Sequence, residues 1–127
     1  MPVIVLFTQN IAWRRMPPGG KRRIGDRLIF TDNLVDENGA EVGQHSGFCT
    51  RVRRMKRAPD LYECQATLTL PEGTLTARGE FRVRAKPGQL SGRAAITGGT
   101  DGFITARGQV NVTAQSTGAD RLEIDIR

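Results

Sequence analysis

Apolar and polar residues alternate with a period of two along almost the whole chain. In RLEIDIR, Leu122, Ile124 and Ile126 alternate with charged residues, and QVNVTA and EFRVRA show the same pattern. Such alternation is typical of β-strands with one buried and one solvated face. Turn-forming sequences separate the runs. We therefore predict eight strands, near 3–9, 26–35, 42–54, 61–70, 73–85, 90–98, 103–115 and 120–127.

The order of these strands constrains the architecture. Most connections between them are too short for an amphipathic helix. Eight sequential strands in 127 residues favour a single all-β domain over 1–127, an eight-stranded antiparallel β-barrel of calycin-like type. Closure of a barrel removes the exposed edges that an open sheet would leave. Its interior is just wide enough for side chains or for one small ligand. A two-sheet sandwich is the alternative.

The glycine-rich stretch AITGGTDGFITARGQ (95–109) admits two interpretations, a phosphate-binding loop or a corner between strands. A phosphate loop needs a helix after its glycines, so that the helix N-terminus faces the anion. Here the residues that follow are rich in strand formers, and no Gly-Lys-Ser/Thr motif is present. The stretch therefore predicts a corner.

Charge favours anionic partners. The net charge is +6, with 16 arginines and 3 lysines, and basic clusters occur at 14–15, 21–23 and 51–57. A positive surface attracts nucleic acid, acidic lipid, or a small carboxylate or phosphate substrate. Seven aromatic residues, most at predicted interior positions, supply a poor platform for base stacking. Nucleic acid is therefore the least favoured partner.

The chain has no sequence signal for export or membrane insertion. No apolar run approaches the roughly 20 residues that a membrane helix needs. The start, MPVIVLFTQN, lacks the basic segment and cleavage site of a signal peptide. We therefore expect a cytoplasmic protein without membrane association, in which free thiols at Cys49 and Cys64 are favoured over a disulfide between them.

Few residue types are available for chemistry. His45 is the single histidine, which disfavours a metal site or a Ser-His-Asp triad. Leu28, Phe30, Asp32 and Leu34 share one face of their strand, which is apolar except for Asp32. Burial would raise the pKa of that carboxyl and make it a candidate general acid or base. Alternatively, Asp32 caps the turn after the strand.

The inward faces of the next strands are not equally clear. Tyr62, Cys64, Ala66, Leu68 and Leu70 share one face, as do Leu75, Ala77, Gly79, Phe81 and Val83. The strand 42–54 is ambiguous, because either the side of His45, Cys49 and Arg51 or the side of Phe48 could face inward. The remaining arginines on these strands, Arg78, Arg82, Arg84 and Arg93, are expected on the solvated outer face.

Three stretches together resemble the allene oxide cyclase barrel and the related dirigent proteins. They are GDRLIFTDNLVDENGAEVGQHSGFCT (25–50), YECQATLTLPEGTLTARGEF (62–81) and AITGGTDGFITARGQV (95–110). The resemblance covers about residues 25–113 in order. It implies an eight-stranded barrel, often oligomeric, with a mostly apolar lumen and no cofactor. Members of this superfamily steer ring closures, and bacterial ones are associated with cyclisations in natural-product pathways.

The resemblance also assigns residues to the pocket. It implies that Phe30, Cys49, Tyr62 and Phe81 line the lumen, and that Asp32 occupies the position of a pocket asparagine or of the dirigent aspartate. Arg107 matches a dirigent arginine. The placement of Cys49 would also bring Arg51 inside. The catalytic glutamate of the cyclases is absent from the first strand, where Gln9 or Asn10 could donate a hydrogen bond. The acid–base role would then pass to Asp32, Asp101 or His45.

Three functions follow as hypotheses. The first is a cofactor-independent cyclase or isomerase that binds a small, largely apolar substrate bearing a carboxylate or enolate and directs stereoselective ring formation. Asp32, Arg107 and His45 would be catalytic, and Leu28, Phe30, Cys49, Arg51, Tyr62, Cys64, Phe81 and Gln9 would bind substrate. The second is a binding or stereocontrol protein without chemistry, and the third is a nucleic-acid binder. A homodimer or homotrimer is expected.

Overall fold

Eight antiparallel strands close into a barrel in which each strand pairs with the next and the last pairs with the first. The computed structural model describes residues 3–19, 21–83 and 90–127. The strands are β1 (Val3–Met16), β2 (Arg27–Val35), β3 (Glu41–Arg53), β4 (Leu61–Leu70), β5 (Gly73–Val83), β6 (Leu90–Gly99), β7 (Gly108–Ala114) and β8 (Asp120–Ile126). None of the helices in the described ranges is long and apolar enough to cross a membrane.

The predicted barrel is confirmed, with two differences in its strands. β1 extends to Met16, seven residues beyond the predicted end at residue 9. The strand predicted over 103–115 is wrong in its first part, because Asp101–Phe103 form a short 3₁₀ turn and β7 begins only at Gly108. The glycine-rich stretch is thus a corner, as predicted. The predicted end of the fifth strand, 84–85, lies outside the described residues.

Alternating side chains from all eight strands fill the barrel interior. The most deeply buried include Leu34, Leu68, Leu75, Leu122 and Ile124. The predicted faces of β2, β4 and β5 all point inward, and Arg78, Arg82 and Arg93 are exposed on the outside as expected. Arg84 lies outside the described residues. Side chains, rather than an open cavity, therefore occupy most of the lumen.

A β-bulge in β1 changes which side chains face inward. The register with β2 shifts between Gln9 and Ala12, and Asn10 adopts a left-handed conformation with φ of 56°. Before the bulge Leu6 and Thr8 point inward; after it Trp13 does, packed against the core. A bulge inserts one extra residue and so reverses the alternation beyond it. Without it, Trp13 would point into solvent.

The two cysteines form a disulfide, so the prediction of free thiols is wrong. Cys49 on β3 and Cys64 on β4 are direct register partners and are joined by a disulfide. Pairing across neighbouring antiparallel strands brings their Cβ atoms within bonding reach. The sequence separation of 15 residues gave no indication of this, because the pairing follows from the strand register.

The antiparallel order places the main basic clusters at one end of the barrel. The connections after β1 and β3 leave from the same end, and Arg22 of the first pairs with Asp60 of the second. These connections, 17–26 and 54–60, carry Lys21, Arg22, Arg23 and the basic run after Arg53. We refer to this end as the basic end.

Candidate functional site

A pocket of about 350 Å³ opens at the basic end. Its apolar wall comes from Trp13, Leu28, Tyr62 and Val83, on four different strands, and from Pro59. Arg15, Arg22, Arg51 and Asp60 form the rest of its lining. We call this the mouth pocket. Its volume lies in the range of natural small-molecule sites, and its lining combines apolar surface with a few converging charges.

An ion-pair network lies beside the mouth pocket and fixes its arginines. The buried Arg51 donates from Nη1 to Asp26 Oδ2, and its Nε lies 3.0 Å from Asp60 Oδ2. Arg15 donates from Nη2 to the same Asp26 oxygen at 3.0 Å. Asp60 in turn accepts from the Met55 backbone N–H. The two buried aspartates thereby compensate the two guanidinium groups, which buried charges require.

These contacts set the ionisation states in the mouth pocket. The backbone N–H of Arg23 and the neighbouring Arg15 and Arg51 hold the pKa of Asp26 below its usual value, against the effect of burial. Burial raises the pKa of the Tyr62 phenol although the guanidinium of Arg51 lies 5.1 Å from its ring centroid. Near neutral pH, Asp26 is therefore charged, and Tyr62 keeps its proton.

Below the mouth pocket the lumen is narrow and apolar. The cavity there has a volume of only about 30 Å³. Its walls are apolar apart from His45; among them are Phe30, Cys64, Phe81, Leu90 and Leu122. The Phe30 ring crosses above Gly47, where an added Cβ would come within 3.0 Å of the ring. In this conformation the lumen has room for about one water molecule.

Asp32 and His45 form a hydrogen-bonded pair inside this apolar lumen. They are register partners on β2 and β3, and both are buried. His45 Nδ1 lies 3.1 Å and 3.2 Å from the two Asp32 carboxylate oxygens. The Phe30 ring packs against the imidazole, with centroids 5.1 Å apart. A carboxylate that accepts from Nδ1–H orients the ring and leaves Nε2 as the nitrogen for proton transfer.

A third ionisable group, Asp120, lies near this pair at the start of β8. Its side chain is 2% exposed, and its carboxylate accepts from the Leu90 backbone N–H at 3.2 Å and 3.3 Å. Its backbone N–H donates to Thr8 Oγ1. Burial, followed by the charge of Asp32, raises the pKa of Asp120 from 3.8 to about 7, although the Leu90 hydrogen bond opposes the shift. Asp120 can therefore hold or release a proton near neutral pH.

The alternative role of Asp32 as a turn cap is wrong. Asp32 lies in the middle of β2, and the turn that follows is capped by Asp36, which accepts from the N–H groups of Asn38 and Ala40. The ambiguity in the third strand is also resolved, because His45, Cys49 and Arg51 face inward. Together with Leu28, Phe30, Tyr62, Cys64 and Phe81, they line the mouth pocket, the lumen wall or the core.

Two predicted site residues lie elsewhere. Gln9 is exposed on the outside of β1, where it lines an open groove beside the β2–β3 and β7–β8 turns. Arg107 is exposed in the corner before β7, and it lines an outer groove with Ile96 and Thr105. Neither side chain reaches the lumen. The prediction that they act on a substrate there is therefore corrected.

The sequence reasoning missed Asp120 and the two aspartates of the mouth network. Asp120 had a detectable signal, since it shares the parity of the inward-facing Leu122 and Ile124. Asp26 and Asp60 had none, because their partners are distant in sequence. In the part of the chain that the structure describes, no three His, Cys, Asp or Glu residues are grouped so as to hold a metal ion.

Comparison with known proteins identifies structures but no sequence relatives. The chain matches no protein-family model and no curated protein. Among solved structures it is similar to a pyocyanin demethylase, with a TM-score of 0.79 and 23% identity over 99% of this chain and 100% of that one. It is also similar to the Diels–Alderase AbmU from Streptomyces koyangensis, with a TM-score of 0.76 and 20% identity. That match covers 98% of this chain and 63% of AbmU.

A third similar structure is AbnU, an exo-specific intermolecular Diels–Alderase, with a TM-score of 0.70 and 14% identity over 99% of this chain and 98% of that one. At such identities the likeness shows the fold. It supports the sequence resemblance at the level of an eight-stranded barrel. The chain therefore shares its fold with barrels that include two Diels–Alderases and a pyocyanin demethylase.

Proposed function

We propose that this barrel is a cyclase or isomerase of the allene oxide cyclase-like superfamily that works without a cofactor. It binds a small, largely apolar substrate at the mouth pocket and directs ring formation with acid–base groups in the lumen. The observation that carries the proposal is the set of three buried ionisable residues, Asp32, His45 and Asp120, in a barrel that also opens to an aromatic-walled pocket. The fold shared with Diels–Alderases supports it.

Ionisable groups buried in an apolar lumen require a functional reason. A core of eight strands gains nothing from an aspartate beside a histidine where leucine would pack, since burial of charged groups is costly. The charge of Asp32 opposes the ionisation of the buried Asp120. Groups of this kind, with one pKa moved to about 7, are what proton transfer at neutral pH uses.

The chemistry would combine shape and proton transfer. The walls of the mouth pocket hold the substrate in a folded conformer, which in ideal cases lowers the barrier by roughly 7–11 kcal/mol. His45, oriented by Asp32, removes or delivers a proton through Nε2. Asp120 keeps a proton available near neutral pH. Acid–base groups of this kind contribute about 100-fold to 10,000-fold in rate.

The substrate has to pass Phe30 to reach His45. Leu28 lines the mouth pocket, and Asp32 lies four residues further along β2, about 13 Å at the usual rise of a strand. Phe30 lies between them and covers the imidazole. Since the lumen holds only about 30 Å³, the reacting part of the substrate must displace the Phe30 and Phe81 rings. We expect the Phe30→Ala variant to bind substrate faster than the wild type and to form the possible ring isomers with less selectivity.

Isomerisation has a signature that does not require the substrate to be known. Ring formation within one molecule changes chromatographic retention but not mass. We would incubate the purified protein with metabolite extracts of its source and search for pairs of features of equal mass that interconvert. Asp32→Asn, which can still accept from His45, and His45→Gln should reduce the conversion about 100-fold or more. Asp101→Asn is the matched control, because Asp101, also a sequence candidate for the acid–base role, lies exposed in the corner after β6.

Each outcome decides a part of the proposal. If Asp32→Asn and His45→Gln both convert substrate as fast as the wild type, the acid–base role is refuted. The shape of the pocket would then be the only source of catalysis. A product lighter than its precursor by the mass of one CH₂ group would indicate demethylation instead of ring formation. Ligand release in native mass spectrometry without any conversion would favour a carrier or stereocontrol protein.

A further inference from the structure

We infer that the mouth pocket selects an apolar substrate carrying one negative charge, and that the Arg22 guanidinium binds this charge. The inference rests on the proposed function, since it concerns the substrate class of the same site. It differs from the sequence expectation, in which Arg51 or Arg107 would bind a substrate carboxylate. The reason lies in how the arginines of the mouth are engaged.

Arg51 is already engaged in the ion-pair network. Its side chain is 6% exposed and lies between Asp26 and Asp60, with a further hydrogen bond from Nη1 to the Arg23 carbonyl. Arg15 is committed as well, because its Nη2 donates both to Asp26 and to the Lys21 carbonyl. A substrate anion at either position would have to displace a buried carboxylate, which would then be left without its partner.

Arg22 is placed differently. It lines the mouth pocket on the β1–β2 connection, and its side chain is 55% exposed. Its contact with the described residues is an ion pair with Asp60, with Nη1 3.4 Å from Oδ2. That distance exceeds the range of a charge-assisted hydrogen bond. The planar guanidinium therefore has donors available for a bidentate contact with a carboxylate or enolate.

The charge balance of the mouth indicates one negative charge on the ligand. Three guanidinium groups, of Arg15, Arg22 and Arg51, face two carboxylates, of Asp26 and Asp60. Within these ion pairs of described residues the guanidinium groups outnumber the carboxylates by one, and a monoanion would match that difference. The rest of the basic end adds a field that attracts anions from solution. A neutral ligand would gain nothing from either feature.

The other walls define the rest of the ligand. Trp13, Leu28, Pro59 and Val83 offer apolar surface next to Arg22, so the ligand needs an apolar body of a size that fits about 350 Å³. Tyr62 keeps its phenolic proton in this environment and can donate to an anionic oxygen. The anionic group at the rim and the apolar body directed inward would orient the reacting part towards the lumen.

The single tryptophan provides the assay, because Trp13 lines the mouth pocket. We would titrate the full chain with octanoate, octanamide and octylamine, which share an apolar chain and differ in charge, and follow Trp13 fluorescence. Octanoate should bind about 10-fold to 100-fold more tightly than octanamide, the range expected for a hydrogen bond to a charged group. Arg22→Gln should bring this ratio close to one.

The matched control is Lys21→Gln. It removes one positive charge from the adjacent residue, whose side chain is exposed and whose carbonyl keeps its bond to Arg15. This variant should retain the preference for octanoate. An equal loss in both variants would show a general field rather than a site on Arg22 and would overturn the inference. So would equal affinity for octanoate and octanamide, or no response of Trp13 to any ligand.

Failure of this inference can be told apart from failure of the proposed function. Charge-selective binding without isobaric conversion would keep the anion site and refute the cyclase. Conversion of a neutral metabolite, with binding that ignores charge, would keep the cyclase and refute the anion site. Displacement of octanoate by a single-stranded oligonucleotide, equally weakened in both variants and by salt, would point to a polyanion surface instead and overturn the inference.

Discussion

Replacement of Asp120 by asparagine should make the protein more stable at high pH. The pKa of this carboxyl is raised from 3.8 to about 7, first by burial and then by Asp32. Between these two values the folded chain holds a proton that the unfolded chain has released. Stability therefore falls as pH rises through this window and levels off above about 7. Asparagine cannot ionise, yet its carbonyl oxygen can still accept from the Leu90 N–H.

The size of the expected stability gain follows from the pKa shift of Asp120. About three pKa units at about 1.36 kcal/mol each set an upper limit of about 4 kcal/mol on the penalty in the wild-type protein. Relaxation of the site around the charged form reduces this, so we expect Asp120→Asn to gain about 2 to 4 kcal/mol at pH 8. At pH 4, where Asp120 is protonated in the folded state, most of this gain should vanish.

Urea denaturation of both proteins from pH 4 to pH 8.5 measures this difference. Subtracting the free energy of unfolding of the wild type from that of the variant at each pH cancels the contributions of the other titrating groups. Asp101→Asn is the matched control, because Asp101 is exposed and has φ of 55°, a conformation that asparagine tolerates. A difference between Asp120→Asn and wild type that does not change with pH would refute the reasoning. A second check uses Asp32→Asn, which should move the window to lower pH.

Two further predictions concern the elements that shape the mouth pocket. Asn10→Val places a β-branched residue at φ of 56° and should cost about 2 kcal/mol in urea denaturation and change Trp13 fluorescence, whereas Asn10→Gly should leave both nearly unchanged. Replacing Cys49 and Cys64 together by serine should cost about 3 kcal/mol on the chain-entropy account of a 15-residue loop, measured against the oxidised wild type. Equal stability of wild type and double variant would contradict that account.

The sequence was most informative where alternation is strict. In RLIFTDNLV every second residue is apolar or Asp32, so the inward face of β2 follows from the amino-acid pattern alone. The same reasoning, extended one step back from Leu122, would have identified Asp120. Strict alternation works because one face of each strand is buried and a shift by one residue would reverse it.

The sequence was least informative where the alternation of apolar and polar residues is absent or interrupted. The run of apolar residues from Val3 to Phe7 has no period, so the direction of Gln9 could not be derived from it. The bulge at Asn10 then reversed the faces and brought Trp13 inward. Arg107 was assigned to the site from its match to a dirigent arginine, whereas here the chain turns through Phe103 and resumes as a strand only at Gly108, after Arg107. Ion pairs between distant residues, such as Arg51 with Asp26, leave no local signal.

The mouth pocket and the lumen differ in their balance of charges, and this difference separates substrate recognition from chemistry. In the mouth network Arg51 is held between two aspartates, so its geometry is fixed. In the lumen the Asp32 carboxylate pairs with the His45 imidazole, and the charge of Asp32 acts on the buried Asp120. Changes at Arg22 should therefore act mainly on substrate affinity, and changes at Asp32 or His45 mainly on kcat. If Arg22→Gln lowered kcat with no effect on KM, the mouth pocket would be part of the reacting centre and this division would be wrong.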